Sequence, residues 1–446
     1  MSDSKAKAQP QPSVFVPADV DTTAYEKRLQ QIKKDLKSIA SLGTRYERNV
    51  ARREVWRDNE LLLMDLEDAK VVEEAKTDSK WQKENQELRD QLTIEPVEVA
   101  KTPLSSVLEK LRYLALLIWF FGGLWIIFLS SPLRWCHPAL RRLGIPNDFL
   151  PIDIMTKIHA KGLIKCTGVI PSVQGAEERE YPPAQPYLTM FAHPSNLDPI
   201  VLLGTSPVIH KAIGKQSLFL TPIIGWAMRF AMGSVPVDRG SLKKAKQQLD
   251  RLKISMQRWG RCLMISPEGT RQPQGQLQPF KKGPFHLQHD LNCAISPVIH
   301  FGPFELWPRS RKLSAPGHVI IRYLPLYYPK KGADHNQVRR SLRRYMLEES
   351  CKDTPKDAGQ PLSDSETIQA YVFLVFVFIF GIVELWGTYS LGCLMFHGWS
   401  VLAICIFLSA AFVGLELAVF YGLSLPTSGD IIDRLTGHTP AAVKEI

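Results

Sequence analysis

The sequence has few cysteines, and their spacing gives them no common role. Seven cysteines are scattered over 446 residues, and none forms the Cys-x2-Cys pairs that are typical of zinc and redox sites. The first residues, Met-Ser-Asp-Ser-Lys-Ala-Lys, lack the apolar core of a secretory signal peptide. Both absences argue against a disulfide-stabilised secreted protein. They predict reduced cysteines and a main domain that faces the cytosol.

Signatures of several other protein classes are missing as well. The sequence shows neither an internal repeat nor a nucleic-acid-binding fold signature. Ser195 has no Gly-x-Ser-x-Gly elbow around it, which argues against a serine nucleophile. His286, His289 and Asp290 have a spacing seen in metal sites, but no further ligand cluster accompanies them. We therefore predict neither a metal site nor a redox cofactor.

Positive charge is concentrated in the middle of the chain. The formal net charge is +11, yet residues 1–110 hold 19 basic and 21 acidic residues, whereas residues 132–367 hold 33 basic and 18 acidic ones. A basic domain suits the anionic cytoplasmic leaflet of a membrane, where each Lys or Arg near the surface contributes roughly 1 kcal/mol. Nucleic acid would also explain the charge, but long apolar segments favour membrane lipids as the partner.

Three long apolar stretches predict an integral membrane protein: Tyr113–Leu129, Ala370–Leu385 and Trp399–Tyr421. The C-terminal two match the roughly 20 residues that cross a bilayer, and we predict two transmembrane helices within residues 370–423. The first stretch is a predicted membrane-inserted segment at 111–131, with Gly122-Gly123 at its middle. A full crossing would separate the charged N-terminal residues from the basic domain, so we favour a monotopic or re-entrant insertion.

Polar sequence flanks the C-terminal helices, and two acidic residues interrupt them. We predict a linker at 346–367 and a polar tail at 424–446. Glu384 and Glu416 lie within the apolar helices, where a carboxylate is costly unless it faces protein or water. They either line a path for lipid or join the two C-terminal helices, and the sequence does not separate these alternatives.

The N-terminal part is predicted to be a Pro-rich, disordered stretch at 1–21 followed by a helical, coiled-coil-like arm at 22–105. Apolar residues recur at alternating steps of three and four from Tyr25 to Val50, and Gly43 interrupts that seam. Such an arm either self-associates, or packs on the rest of the protein, or is a solvated extension without a catalytic role. The solvated extension is the simplest of these alternatives.

Residues 140–345 are predicted to form an α/β domain, a β-sheet flanked by helices, because short β-rich runs alternate with helical segments. The predicted strands are Tyr187–Phe191, Val208–Ile213, Ser234–Val237, Cys262–Ile265 and Val319–Leu324. Polar clusters directly follow several of these runs. In open α/β sheets ligands bind beyond the carboxyl ends of the strands, so these clusters are the candidate site.

The first cluster reads Phe191-Ala-His193-Pro-Ser-Asn-Leu-Asp198-Pro199. A neutral imidazole takes a proton from a hydroxyl if a carboxylate holds its other ring nitrogen. His and Asp five residues apart lie on different faces of a regular helix, but Pro194 favours an irregular path on which they can meet. Alternatively, Asp198 caps a helix that starts at Pro199, and His193 has no catalytic role.

Three more clusters carry charge, hydroxyl groups or glycine. Lys215 follows an apolar run and offers a mobile positive charge for a phosphate, or is a surface lysine. Arg239, in Val-Asp-Arg-Gly, offers a planar fork for a phosphate, or pairs with Asp238 in a turn. The segment Ser266-Pro-Glu268-Gly269-Thr270-Arg271 places a carboxylate, a hydroxyl and a guanidinium together, and Gly269 permits close approach of the backbone to a ligand.

In this order and spacing the clusters resemble the glycerophospholipid acyltransferase family, specifically its 1-acylglycerol-3-phosphate acyltransferase branch. That family shows a His-x4-Asp motif, a Lys-containing stretch ending in Pro-x-x-Gly, an Asp-Arg segment and a Pro-Glu-Gly-Thr-Arg turn. A Pro-containing β segment follows them, here Ile295-Ser-Pro297-Val-Ile. The resemblance covers roughly residues 185–305. It differs from the common family pattern at Ala192, Pro194 and Ser266, which puts the choice of substrate in question more than the reaction.

The resemblance implies a role for each matching residue. His193 is implied as the base that deprotonates the acceptor hydroxyl, and Asp198 as the group that orients it. Lys215 and Arg239 are implied to contact the acceptor phosphate. The remaining implied residues shape the acceptor pocket, except for Pro297, which is implied on the acyl-donor side: Glu268, Gly269, Thr270, Arg271 and Pro297.

We therefore expect an acyltransferase that moves an acyl group from acyl-CoA, a co-substrate, onto lysophosphatidic acid and gives phosphatidic acid. A thioester is already activated, so the enzyme has to position it, deprotonate the alcohol and stabilise an oxyanion. Glycerol-3-phosphate or another lysophospholipid is the alternative acceptor, and a membrane scaffold without catalysis is the alternative of another class. The endoplasmic reticulum membrane, with the domain in the cytosol, is the expected location.

Overall fold

The computed structural model describes residues 22–68, 79–99, 102–177, 185–237, 256, 260–330, 332–397 and 435. Several predictions lie outside these residues. They concern the stretch at 1–21, the third apolar segment, Glu416, Arg239 and all but one residue of the tail at 424–446.

Helices form most of the N-terminal third and flank a central sheet. Those before the sheet are α1 (Thr22–Ile39), α2 (Arg45–Asp68), α3 (Ser79–Gln91), α4 (Pro103–Leu129), α5 (His137–Arg142) and α6 (Pro151–Cys166). Those between and after the strands are α7 (Leu197–Thr205), α8 (Gln216–Phe219), α9 (Ile224–Trp226), α10 (Gly283–Leu291), α11 (Pro303–Leu306), α12 (His335–Glu349) and α13 (Asp364–His397).

The strands form one mixed sheet with the order β1-β7-β6-β2-β5-β3-β4. They are β1 (Val169–Gln174), β2 (Leu188–Phe191), β3 (His210–Lys215), β4 (Val235–Val237), β5 (Cys262–Ile265), β6 (Ile295–Phe301) and β7 (Gly317–Tyr323). Neighbours pair in parallel except β6 and β7, which are antiparallel. The predicted α/β fold with a sheet flanked by helices is confirmed.

Strands β2 and β6 lie at the centre of the sheet and are buried along their whole length. Helices on both faces of a parallel sheet leave no solvated side, so such strands read as continuous apolar runs. This explains why the sequence placed β2 and β5 within one residue of their observed ends. The strand predicted at Val208–Ile213 begins and ends two residues later in the structure, because Val208 and Ile209 are buried before the ladder starts.

The N-terminal helices α1 and α2 are part of the main hydrophobic core. Ile32, Ile39 and Trp56 are between 1% and 4% exposed and belong to the same buried cluster as Leu188 and Met190 of β2. The solvated-extension alternative is therefore wrong for this segment. Burying these apolar side chains against the sheet also makes them unavailable for pairing with a second copy.

Helices α4 and α13 are long and apolar enough to cross a membrane, over Ser105–Leu129 and Asp364–Gly387. They pack on each other, and the Trp119 ring lies 5.2 Å from the Phe380 ring between centroids. Most of their apolar surface stays exposed within the described chain. A soluble protein does not leave two such helices uncovered, so this arrangement is typical of a membrane protein.

Helix α4 runs without a break through Gly122 and Gly123, so the predicted membrane-inserted segment is a continuous helix. At about 1.5 Å per residue its length exceeds the roughly 30 Å of a hydrocarbon core. The glycines instead admit neighbouring side chains. A Cβ atom at Gly122 would overlap the carboxylate of Glu384, and one at Gly123 would overlap the ring of His159. Glu384 thus packs against the first apolar helix.

The polar segment predicted as a linker at 346–367 belongs largely to the α/β domain. Met346 and Leu347 are buried in the last turns of α12. Further along, the backbone of Gly359 and Gln360 exchanges hydrogen bonds of 2.9 and 3.0 Å with His318 of β7. The polar composition of residues 346–367 did not predict this packing, because backbone groups rather than side chains make the contact with β7.

Candidate active site

His193 and Asp198 lie in the loop that connects β2 to α7, at the carboxyl end of a central strand. Nδ1 of His193 lies 2.9 Å from Oδ2 of Asp198. The Asp198 side chain is fully buried, whereas that of His193 is 20% exposed. The irregular path through Pro194 brings the two residues together, as the sequence suggested. One ring nitrogen of the imidazole, Nδ1, is therefore held by a carboxylate, while the ring remains accessible to a substrate.

Asp198 is fixed by more than the histidine. Its Oδ2 atom also accepts a hydrogen bond of 2.6 Å from the backbone N–H of Ser195. The N-cap of α7 is Asn196 and not Asp198, so the alternative of an ordinary helix cap is wrong. Burial raises the pKa of Asp198, but the hydrogen bonds and charges of His193 and His300 outweigh burial and hold the pKa below its ordinary value. The carboxylate is therefore ionised at neutral pH.

Glu268, in the Pro-Glu-Gly-Thr-Arg turn after β5, holds the loop of residues 192–196 that carries His193. Its Oε1 accepts a hydrogen bond of 2.9 Å from the backbone N–H of His193, and its Oε2 accepts one of 3.2 Å from the backbone N–H of Gln278. The residue is 2% exposed. Glu268 thus ties the His193 loop to the segment that follows the turn.

Burial raises the pKa of Glu268 to about 8, against the lowering effect of its two backbone hydrogen bonds. The folded protein therefore keeps a proton that the unfolded chain releases near its ordinary pKa of 4.5. By linkage, the contribution of Glu268 to the free energy of unfolding falls as the pH rises between these two values.

We expect Glu268→Gln to flatten the decline of stability between pH 5 and pH 8, because an amide does not titrate. The same variant should unfold more easily at pH 5 by about 1–3 kcal/mol, since its NH₂ group faces a backbone N–H. Chemical unfolding of the detergent-solubilised protein at several pH values measures both effects. Glu98→Gln, at an exposed position, is the control. Equal slopes for wild type and both variants would contradict the expectation.

Residues 272–278 lie against the loop that carries His193 and hydrogen-bond to it. The backbone N–H of Gln272 donates to the carbonyl of His193 at 3.1 Å. Two residues of the N-terminal segment also donate hydrogen bonds to this stretch. Trp56 Nε1 donates to the carbonyl of Leu277 at 3.0 Å, and the N–H of Ile94 donates to the carbonyl of Gln274 at 3.0 Å. Helix α2 and the segment after α3 therefore support the site through this stretch.

The other predicted residues occupy different positions. Lys215 is the last residue of β3, on the same edge of the sheet as His193, whereas Arg239 lies outside the described residues. Gly269 has a positive φ of 79°, which only glycine adopts readily. Beside it Thr270 is exposed and Arg271 is half-buried. Pro297 is buried in β6 opposite Met190, so it belongs to the strand beside the loop that carries His193.

Two contributors escaped the sequence analysis. Trp56 lies far from the motifs along the chain, and nothing in its surroundings marked it as part of the site. His300 is the penultimate residue of the buried strand β6 and lies beside Asp198, with Nδ1 3.5 Å from Oδ1. The rule that singled out His193, a polar residue at the carboxyl end of an apolar strand, would have found His300 too.

The arrangement is suited to general-base catalysis. A buried carboxylate on Nδ1 of His193 favours the tautomer with its proton on Nδ1, which leaves Nε2 as the proton acceptor. The same carboxylate stabilises the imidazolium that forms when Nε2 takes a proton. Among the described residues, no group of three or more His, Cys, Asp and Glu side chains is placed to hold a metal ion.

Residues 172–300 match the family model described as Acyltransferase. The sequence is 29% identical over 208 residues to 1-acyl-sn-glycerol-3-phosphate acyltransferase alpha of Mus musculus, a match that covers 46% of this chain and 69% of that protein. It is 32% identical over 165 residues to the chloroplastic 1-acyl-sn-glycerol-3-phosphate acyltransferase BAT2 of Brassica napus, covering 36% of this chain and 46% of that protein.

A fungal relative and a solved structure match as well. The 1-acyl-sn-glycerol-3-phosphate acyltransferase of Saccharomyces cerevisiae is 33% identical over 142 residues, which is 31% of this chain and 46% of that protein. The crystal structure of the 1-acyl-sn-glycerophosphate (LPA) acyltransferase PlsC from Thermotoga maritima matches with a TM-score of 0.42 and 20% identity, over 55% of this chain and 98% of that one.

Proposed function

We propose that the chain is a member of the acyltransferase family that includes the 1-acylglycerol-3-phosphate acyltransferases, and that it acylates lysophosphatidic acid with acyl-CoA as donor. The product is phosphatidic acid. The observation that carries the proposal is the contact of 2.9 Å between His193 Nδ1 and Asp198 Oδ2 at the carboxyl end of β2. The family model matches residues 172–300, which include both side chains, and relatives named 1-acyl-sn-glycerol-3-phosphate acyltransferase support the choice of acceptor.

In the proposed mechanism His193 acts as general base. Its Nε2 takes the proton of the acceptor hydroxyl while the oxygen attacks the thioester carbonyl, and Asp198 stabilises the imidazolium. The tetrahedral intermediate then collapses, the C–S bond breaks, and the proton on Nε2 passes to the leaving thiolate. An ester and free CoA are the products, and His193 returns to its neutral form. No net oxidation or reduction occurs.

Basic residues are proposed to choose the acceptor. Lys215 stands at the carboxyl end of β3, two strands from His193 in the sheet. We assign it and Arg239 to the acceptor phosphate, and Arg271 to the wall of the acceptor pocket beside Gly269 and Thr270. A phosphate monoester carries more negative charge than the phosphodiester of a lysophospholipid with a choline headgroup. Cationic side chains therefore favour lysophosphatidic acid over such lysolipids.

The two apolar helices support a membrane as the location of the proposed reaction. Both proposed lipids, acceptor and product, reside in a bilayer, and α4 and α13 flank the domain that carries His193. We propose the cytosolic face of the endoplasmic reticulum membrane as the location, because acyl-CoA is a soluble donor and the basic domain suits an anionic leaflet.

The test of the proposed function is acyl transfer from radiolabelled oleoyl-CoA in membranes that contain the intact protein. We expect label in phosphatidic acid when lysophosphatidic acid is the acceptor, at a kcat/KM at least about tenfold above that for glycerol-3-phosphate or lysophosphatidylcholine. Tenfold corresponds to about 1.4 kcal/mol of differential transition-state binding. Against lysophosphatidylcholine, whose phosphate is a diester, one charged hydrogen bond supplies it. Against glycerol-3-phosphate, which lacks an acyl chain, burial of that apolar chain supplies it.

Membranes that contain the His193→Ala protein at equal abundance are the negative control for this assay. Preferred transfer to glycerol-3-phosphate or to lysophosphatidylcholine would keep the chemistry and overturn the proposed acceptor. A folded wild-type protein without activity on any of these acceptors would overturn the enzyme proposal in favour of a membrane scaffold.

A further inference from the structure

The buried carboxylate of Asp198 lies between two histidines. His193 Nδ1 contacts one oxygen, Oδ2, at 2.9 Å. On the opposite side, His300 Nδ1 lies 3.5 Å from the other oxygen, Oδ1. Within the described part of the chain, Oδ1 makes no other polar contact. A buried carboxylate oxygen needs a donor nearby, since an unsatisfied one costs about 1–3 kcal/mol or more. His300 is the group in position to serve it.

His300 is also bound to the backbone of the catalytic loop. Its Nδ1 lies 3.1 Å from the carbonyl oxygen of Ala192, the residue that precedes His193. A carbonyl only accepts, so Nδ1 of His300 carries the proton and donates. The same nitrogen therefore lies near two acceptors, the Ala192 carbonyl at hydrogen-bond distance and Oδ1 of Asp198 at 3.5 Å. Because the Ala192 N–H donates to the Val298 carbonyl at 3.1 Å, strand β6 holds both the N–H and the carbonyl of Ala192.

The surroundings leave His300 little freedom to move. Its side chain is 0% exposed, and the Phe191 ring packs against both imidazoles, at 6.0 Å from His300 and 5.6 Å from His193 between centroids. His300 also lines a cavity of about 30 Å³, together with Glu268 and Arg53. A hydrogen bond from such a constrained ring fixes the position of its acceptor.

We propose that His300 is a positioning residue for the His193–Asp198 pair. Its N–H holds Oδ1 of Asp198 and the carbonyl of Ala192, so that Oδ2 stays directed at Nδ1 of His193. His300 does not touch the substrate and transfers no proton. The proposal rests on the proposed function only in taking His193 as the base.

The structure predicts different results for three substitutions at this position. Asn places an amide N–H where Nδ1 of the imidazole lies, Gln places one nearer to Nε2, and Phe keeps the ring without any donor. We expect His300→Asn to keep kcat within about threefold of wild type. His300→Gln and His300→Phe should lower kcat by about 10- to 100-fold, the cost of displacing a catalytic group by an ångström. KM for both substrates should change less than threefold, since His300 touches neither.

The experiment measures kcat and KM for oleoyl-CoA and lysophosphatidic acid in membranes, with thermal midpoints of the solubilised proteins. His289→Asn is the matched control, because that side chain is 63% exposed on α10. Rescue by Asn, with Gln and Asn proteins of equal thermal midpoint, supports the proposal. If kcat instead fell equally in all three variants, in proportion to the fall in thermal midpoint, the proposal would be overturned. His300 would then be a packing residue. Inactive wild-type protein would instead refute the proposed function.

Discussion

Replacing His193 with alanine is expected to lower kcat/KM for acyl transfer by about 10²- to 10⁴-fold, the usual contribution of a general base. The imidazole is the only group of the described loop that both contacts a buried carboxylate and remains open to a substrate. Without it the acceptor hydroxyl has to attack the thioester while it still carries its proton. Initial rates with labelled oleoyl-CoA and lysophosphatidic acid measure the loss.

The same substitution should leave the fold intact, which separates a chemical effect from a structural one. The His193 ring is partly exposed, and its backbone N–H, which binds Glu268, remains in the alanine variant. We expect the thermal midpoint to change by no more than a few degrees. Asp198→Asn should lower kcat as well, because an amide does not stabilise the imidazolium. A His193→Ala protein with near wild-type activity would remove His193 from the mechanism.

Glu60→Ala is expected to lower the free energy of unfolding by about 3–5 kcal/mol, the usual cost of removing one partner from a buried ion pair. Glu60, in α2, is 1% exposed. Its carboxylate binds Arg89 of α3 at 2.5 Å and also binds Arg343 of α12. Arg343 in turn donates to the carbonyl of Gln278 at 3.2 Å. Loss of Glu60 leaves two guanidinium groups without their carboxylate.

Activity should fall together with stability in this variant, because Gln278 is the residue that holds Glu268 beneath His193. Asp65→Asn in the same helix is the matched control. Asp65 pairs with Arg344 at the surface, where both side chains are about one quarter exposed, and such pairs contribute about 0–1 kcal/mol. Denaturant unfolding compares the two. Equal losses of stability in the two variants would show that Glu60 contributes no more to stability than a surface ion pair does.

Much of the site was readable from the sequence because its parts are local. His193 and Asp198 lie five residues apart after a buried strand, and Pro194 forces the loop that joins them. The strands β2 and β5 were predictable for a related reason, since burial on both faces produces short uninterrupted apolar runs. The Pro-Glu-Gly-Thr-Arg turn was recognisable too, although the role of Glu268 was not. Its carboxylate holds a backbone N–H of another loop.

The N-terminal helices show where local reasoning failed. Helix α2 carries many charges, which is typical of a solvated helix, yet Arg53 and Glu60 are buried in it. Arg53 pairs with Glu305 at 2.6 Å, across 252 positions of the chain. A charged side chain is buried only when a partner is present, and the partner of each lies in a distant segment. No periodicity within α2 reveals it.

The sequence by itself determined the reaction class, the pairing of His193 with Asp198, the alternation of strands and helices, and the apolar segments that are typical of a membrane protein. Each follows from contacts between near neighbours or from the solvent that a segment prefers. Only the tertiary structure decided that His300 shares Asp198 with His193, and that the N-terminal helices support the loop under the base. These contacts join segments more than a hundred residues apart, and the packing of the sheet against its helices selects them.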